Sequence, residues 1–93
     1  MMDALRLFTL QHDLWDVWRE ERPGEPFTIS EAHPEPMIED LVHEHNGEHP
    51  LNEIELWHEG GAIYISFWGR EKLLSWYRER IRKTAAAGSV SRT

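Results

Sequence analysis

Apolar and polar residues recur with two different periods along this chain, and the change of period divides it. Over residues 4–20 the spacing is helical. At about 100° per residue, Leu7, Phe8, Leu10, Leu14, Trp15, Val17 and Trp18 fall within one half of a cylinder. Thr9, His12, Asp13, Asp16, Arg19 and Glu20 fill the other half. A strand over Leu5–Leu10 would split that apolar face, so the pattern predicts a helix with Asp3 as its N-cap. Pro23-Gly24-Glu25-Pro26 ends it, because proline disfavours the helical region for its predecessor.

Phe27-Thr28-Ile29, bounded by Pro26 and Ser30, reads as a short strand. Pro34 and Pro36 suit the first turn of a second helix, where a missing N–H costs nothing. Glu35, Glu39 and Asp40 lie near its positive end, and Met37, Ile38, Leu41 and Val42 share one face. Asn46-Gly47 is expected to stop this helix, the glycine taking a positive φ.

The clearest local signal is the period of two over Glu53–Trp68. Two alternating runs flank Gly60-Gly61, which suits a two-residue type I′ turn. If Glu59 and Ala62 close the turn, Ile54 faces Phe67, Leu56 faces Ile65 and His58 faces Ile63 on a core side. Glu53 then faces Trp68, Glu55 faces Ser66 and Trp57 faces Tyr64 on the outer side. A last helix is expected from near Arg70, with Leu73, Leu74, Trp76, Tyr77 and Ile81 inward and Arg78 and Arg82 pointing away.

These elements predict an α+β fold: helix, short strand, helix, antiparallel β-hairpin and helix, the helices packing on a two- or three-stranded sheet. Residues 1–87 are read as a single domain and 88–93 as a flexible C-terminal tail. A chain of 93 residues buries only about 60–65% of its unfolded surface, so the core is thin. An apolar content of 40% is too high for disorder, and charge interrupts it too often for a membrane span. The first residues lack the features of a signal peptide, and the absence of cysteine excludes disulfide scaffolds and thiol chemistry. A cytoplasmic location, in its own cell or a host's, is the expectation.

Charge sharpens this picture. The net charge is −7, but from Pro23 to Gly69 there are ten acids and no Lys or Arg. From Arg70 onward there are seven cations and two acids. A long stretch of one sign produces a field that repels phosphate, which argues against direct nucleic-acid binding by the middle of the chain. The basic strip Arg78, Arg80, Arg82 and Lys83 reads as a solvated helix end.

Three constellations could carry chemistry. His43-Glu44-His45 followed by His49 resembles a metal site in composition, imidazole being a common ligand for zinc, copper and nickel. On a continuing helix, however, His43 and His45 point about 160–200° apart. His45 also falls on the Met37/Leu41 face and His58 on the core side of the hairpin, so packing accounts for both. His43, His45 and His49 are therefore the weaker, metal-binding alternative, and no cofactor is implied. Ser30, Ser66 and Ser75 lack a G-x-S-x-G elbow, and no catalytic residues are assigned. The third set is Trp57, Tyr64 and Trp68 beside Glu53, Glu55 and Glu59. These are either a sheet face covered by a helix or an exposed patch of the residue types that dominate interfaces.

The expected function is that of a small acidic, non-catalytic binding protein. It would be an inhibitor or adaptor recognising a basic surface of another macromolecule, such as the nucleic-acid site of a protein. A phage- or mobile-element-encoded inhibitor, including a nucleic-acid mimic, fits the size, acidity and tryptophan content. The alternative is a His/carboxylate metal-binding or small-ligand-binding protein. No membrane contact is expected, and a homodimer is compatible with the sequence.

Overall fold

A computed structural model describes the backbone of residues 4–91 and the side chains through Lys83. The expected N-cap Asp3 and the last two residues of the expected tail lie outside the described residues. The elements are β1 (Ala4–Arg6), a 3-10 turn (Leu7–Thr9), α1 (Leu10–Glu21), α2 (Pro34–Glu48), β2 (Leu56–Glu59), β3 (Ala62–Ser66) and α3 (Phe67–Ser91). The strands form one antiparallel sheet in the order β1-β3-β2, and the fold is the expected small α+β domain.

The amino-terminal segment corrects the sequence reading. Residues 4–6 are not helical but pair with the free side of β3, Leu5 opposite Ile65 and Arg6 opposite Tyr64. Backbone pairing across the sheet outweighs a local pattern here. Leu5 and Leu7 follow the strand period, and only Leu7, Leu10, Leu14 and Val17 follow the helical one. The four buried residues form a narrower stripe than expected, and Phe8 and Trp15 are left 40% and 44% exposed. The third strand thus comes from residues 4–6, and Phe27–Ile29 is irregular. Those residues are held by side chains instead: Trp18 donates to the Glu25 carbonyl at 3.0 Å and packs on Phe27.

Pro34 opens α2 as the sequence indicates. Its end differs. The helix runs through Gly47 to Glu48, His49 donating its N–H to the His45 carbonyl at 2.9 Å, and Gly47 keeps a negative φ. Asn46 is the cause. Its amide clasps the backbone of Ile54 from both sides, donating to the carbonyl at 3.0 Å and accepting the N–H at 2.7 Å. That clasp holds the final turn against the start of the hairpin.

The hairpin register is as read: Leu56 opposite Ile65, Trp57 opposite Tyr64, His58 opposite Ile63 and Glu59 opposite Ala62. Gly60 and Gly61 take φ of 57° and 79°, the pair of positive values a type I′ turn requires. The ladder is shorter than expected, however. Ser66 pairs with Ala4, and its Oγ accepts the Gly69 N–H at 2.9 Å, an N-cap that turns the chain into α3 at Phe67, before the expected Arg70. Phe67 and Trp68 therefore do not face Ile54 and Glu53, and Phe67 is exposed. His58, expected in the core, is exposed and stands 3.9 Å from Glu39.

α3 packs against both other helices. Its contacts with α1 rise together in residue number and those with α2 run in opposite senses, so it is parallel to α1 and antiparallel to α2. Leu73, Trp76, Tyr77 and Ile81 join Leu7, Leu10, Leu14, Ile38, Val42 and Ile65 in one core. Burial pushes the Tyr77 hydroxyl up to about 12. Arg78 and Arg82, expected to point away, instead reach α1. Arg78 meets Glu20 at 2.8 Å and Glu21 at 2.9 Å, and Arg82 holds both oxygens of Glu21. Arg70 meets Asp13 at 3.0 Å, and Arg80 grips both oxygens of Glu44 on α2. The basic strip is thus an inter-helix seam.

Two outcomes follow from this packing. A Cβ at Gly69 would stand 3.0 Å from Ile65 Cγ1 and 3.2 Å from Ile54 Cγ2, both in the core, whereas Gly47 has nothing within 4 Å. Gly69→Ala is expected to destabilise by up to about 2 kcal/mol, overpacking exceeding the helix-propensity gain. Gly47→Ala is expected to stabilise by up to about 1 kcal/mol. Urea unfolding reads both, and equal signs would refute the close approach at Gly69. The second outcome concerns acid. Hydrogen bonds from Arg82 and Arg78 hold the Glu21 carboxyl below 4.5, against the opposing effect of burial, and the Trp76 indole does the same for Glu48. A depressed carboxyl stabilises fully above its unfolded value and loses that stabilisation as pH falls through the folded one. Glu21→Gln is expected to lower Tm by a few degrees at pH 7, with the deficit shrinking below about 4.5. Thermal circular dichroism across that range measures it.

Candidate partner-binding face of the hairpin

The inner side of the sheet, carrying Leu5, Leu56, Ile63 and Ile65, packs on the helical core. By alternation the outer side carries Arg6, Tyr64 and Trp57, one from each strand in a single row. Trp57 and Tyr64 stack with ring centres 6.4 Å apart and planes inclined by 19°. Both are half-buried, but neither packs against the core cluster. The Trp57 indole N–H is sheltered from solvent and meets no acceptor among the described residues. Such a donor costs about 1–3 kcal/mol while unpaired. Arg6 is drawn aside, its guanidinium lying 4.9 Å from the centre of the Phe8 ring.

Glu53, Glu55 and Glu59 are exposed along β2 and the segment leading into it. Among the described residues no cation lies within ion-pair distance of them, because the arginines are engaged elsewhere. Arg19 pairs with Asp16, Arg22 with Glu25, and the α3 arginines with Asp13, Glu20, Glu21 and Glu44. β2 is also an edge strand, so one side of its backbone is unpaired within the sheet. Stacked aromatics, uncompensated carboxylates and an open strand edge therefore share one side of the hairpin.

Trp68 does not join them. It stands in the first turn of α3, 67% exposed, with the Lys72 ammonium 3.6 Å from its ring centre. Lys72 also donates to the Asn52 carbonyl, so Trp68 borders the loop before β2. The histidines separate as well. α2 continues past both His43 and His45, which leaves His43 exposed and His45 buried at 3%. Among the described residues no group of three His, Asp or Glu side chains is arranged to hold a metal ion.

Sequence reasoning missed Arg6, because a residue assigned to a helix was not available to the sheet. It also missed Asn46 as a clasp, although an Asn-Gly pair at a helix end invites a side-chain partner. No family model, curated protein or solved structure matches this chain.

Since the Trp57 ring has Tyr64 but no core partner, Trp57→Ala is expected to cost about 1 kcal/mol or less, the scale of a cross-strand pair. Trp76→Ala, which empties a buried site, is expected to cost about 3–5 kcal/mol. Comparable losses in denaturant unfolding would mean that the outer face is part of the core.

Proposed function

We propose that this chain is a non-catalytic binding protein that takes a cationic protein surface on the open side of its hairpin. The observation that carries the reading is the coincidence of two surpluses. The stacked Trp57–Tyr64 pair is packed on nothing in the core, and among the described residues no cation stands within ion-pair distance of Glu53, Glu55 and Glu59. The carboxylates steer a basic partner toward the edge strand, and the aromatics hold it through apolar area. A protein surface shaped for nucleic acid has the matching charge, so an inhibitor or nucleic-acid mimic, carried by a phage or mobile element, is the form this activity takes. Trp68 lies outside the anchor and belongs to a neighbouring patch.

The test captures partners from an extract of the native host with three baits: the wild type, Glu53→Lys/Glu55→Lys/Glu59→Lys, and Trp57→Ala. The captured partner is then measured kinetically. Association is expected to slow steeply with salt, since exposed charges are screened beyond about 8 Å at physiological ionic strength. The triple reversal is expected to slow association, and Trp57→Ala to speed dissociation about tenfold or more. A partner whose rates ignore salt and both variants would overturn the assignment.

A further inference from the structure

A groove of about 490 Å³ runs between the end of α2 and α3, lined in part by His45, His49, Lys72 and Trp76. The His45 side chain is only 3% exposed, and its hydrogen bond to Asn46 is made through Nδ1. The hydrogen-bond network assigns its tautomer. Ile54 fixes both ends of the Asn46 amide, so Oδ1 is the acceptor; His45 Nδ1, 2.9 Å from it, must carry the hydrogen. The lone pair is left on Nε2. A metal-ligating histidine is ordinarily held this way, its other nitrogen donating to a fixed oxygen.

His49 follows at i+4 across the last helical hydrogen bond of α2. The two ring centres are 5.0 Å apart with planes inclined by 41°. A nitrogen about 2.0–2.1 Å from a zinc-sized ion places its ring centre about 3.2 Å from that ion. Two rings subtending about 90–110° at one ion then stand about 4.5–5.2 Å apart, which brackets the observed separation. His49 is exposed, so its ring can turn a nitrogen inward. The same groove is lined by Glu48 and Glu79 as well as by Lys72, Arg80 and Lys83, the Arg80 guanidinium being paired with Glu44.

We propose that His45, through Nε2, and His49 form a two-imidazole site for one divalent transition-metal ion of the zinc, copper and nickel class. Water completes the coordination, since among the described residues no group of three His, Asp or Glu side chains is placed to hold an ion. His43, on the other side of the helix, takes no part. This site is independent of the hairpin reading.

The test is titration of the untagged full-length chain with Cu²⁺ or Zn²⁺ alone. The Trp76 ring lies 5.7 Å from that of His45, so bound Cu²⁺ is expected to quench its fluorescence at one equivalent, and Trp76→Phe to remove that component. His49→Ala is expected to weaken binding at least about tenfold and His43→Ala to leave it unchanged. Long-range ¹H–¹⁵N spectra with Zn²⁺ are expected to keep the Nδ1 hydrogen of His45 while shifting Nε2. His49 is exposed, so its variant keeps the fold, and circular dichroism checks this. Binding that is indifferent to His49→Ala, equally weakened by His43→Ala, or accompanied by loss of the Nδ1 hydrogen overturns the proposal.

Discussion

β3 passes into α3 without a connecting loop, so the central strand and the central helix are one uninterrupted segment, and everything else is arranged on its two sides. The junction works because Ser66 finishes the sheet and caps the helix with the same residue, while Gly69 lets the first helical turn settle against Ile65 and Ile54. Fixing the strand fixes the helix axis. β1 and β2 then pair with the strand on its two sides, while α1 and α2 both pack against the helix and against each other. In a chain with so thin a core, a rigid spine spares the entropy of an ordered loop.

The spine also decides where charge is left over. Four arginines spaced along α3 reach both neighbouring helices, so the acids of α1 and Glu44 of α2 are answered within the fold. Exposed pairs of this kind contribute little individually, about 0–1 kcal/mol each. Their larger consequence is distribution. With the cations drawn into the seam, the hairpin carboxylates have no ion-pair partner among the described residues, and the surplus gathers beside an aromatic pair outside the core.

The hairpin was legible because its information is local: alternation sets the faces, and a Gly-Gly turn sets the register. The α2 start was legible for the same reason, proline at the first turn being a short-range rule. What could not be read depends on partners distant in sequence. Ala4–Arg6 has a helical pattern but lies against a strand sixty residues away, and backbone pairing overrides the pattern. Arg78 and Arg82 look like a solvated end until α1 is placed alongside. Trp68 satisfies the alternation perfectly, yet the cap at Ser66 takes the chain out of the sheet one residue before the period would have used it. Of the sequence-derived site, Trp57, Tyr64 and Glu59 keep the outer side of the ladder for this reason, Glu53 and Glu55 lie exposed in the segment leading into β2, and Trp68 moves to another surface.

Asn46 connects the two surfaces that the helical packing leaves open. Its Oδ1 accepts from Ile54, at the entry to the hairpin, and from His45, at the floor of the groove. One oxygen thus sets both where Ile54 is held against the last turn of α2 and the tautomer of a buried imidazole. Removing that amide would disturb both places at once and could not tell them apart. Trp57 and His49 carry the separation instead. Each is peripheral to the clasp, each projects from one surface only, and neither belongs to the core that both surfaces stand on.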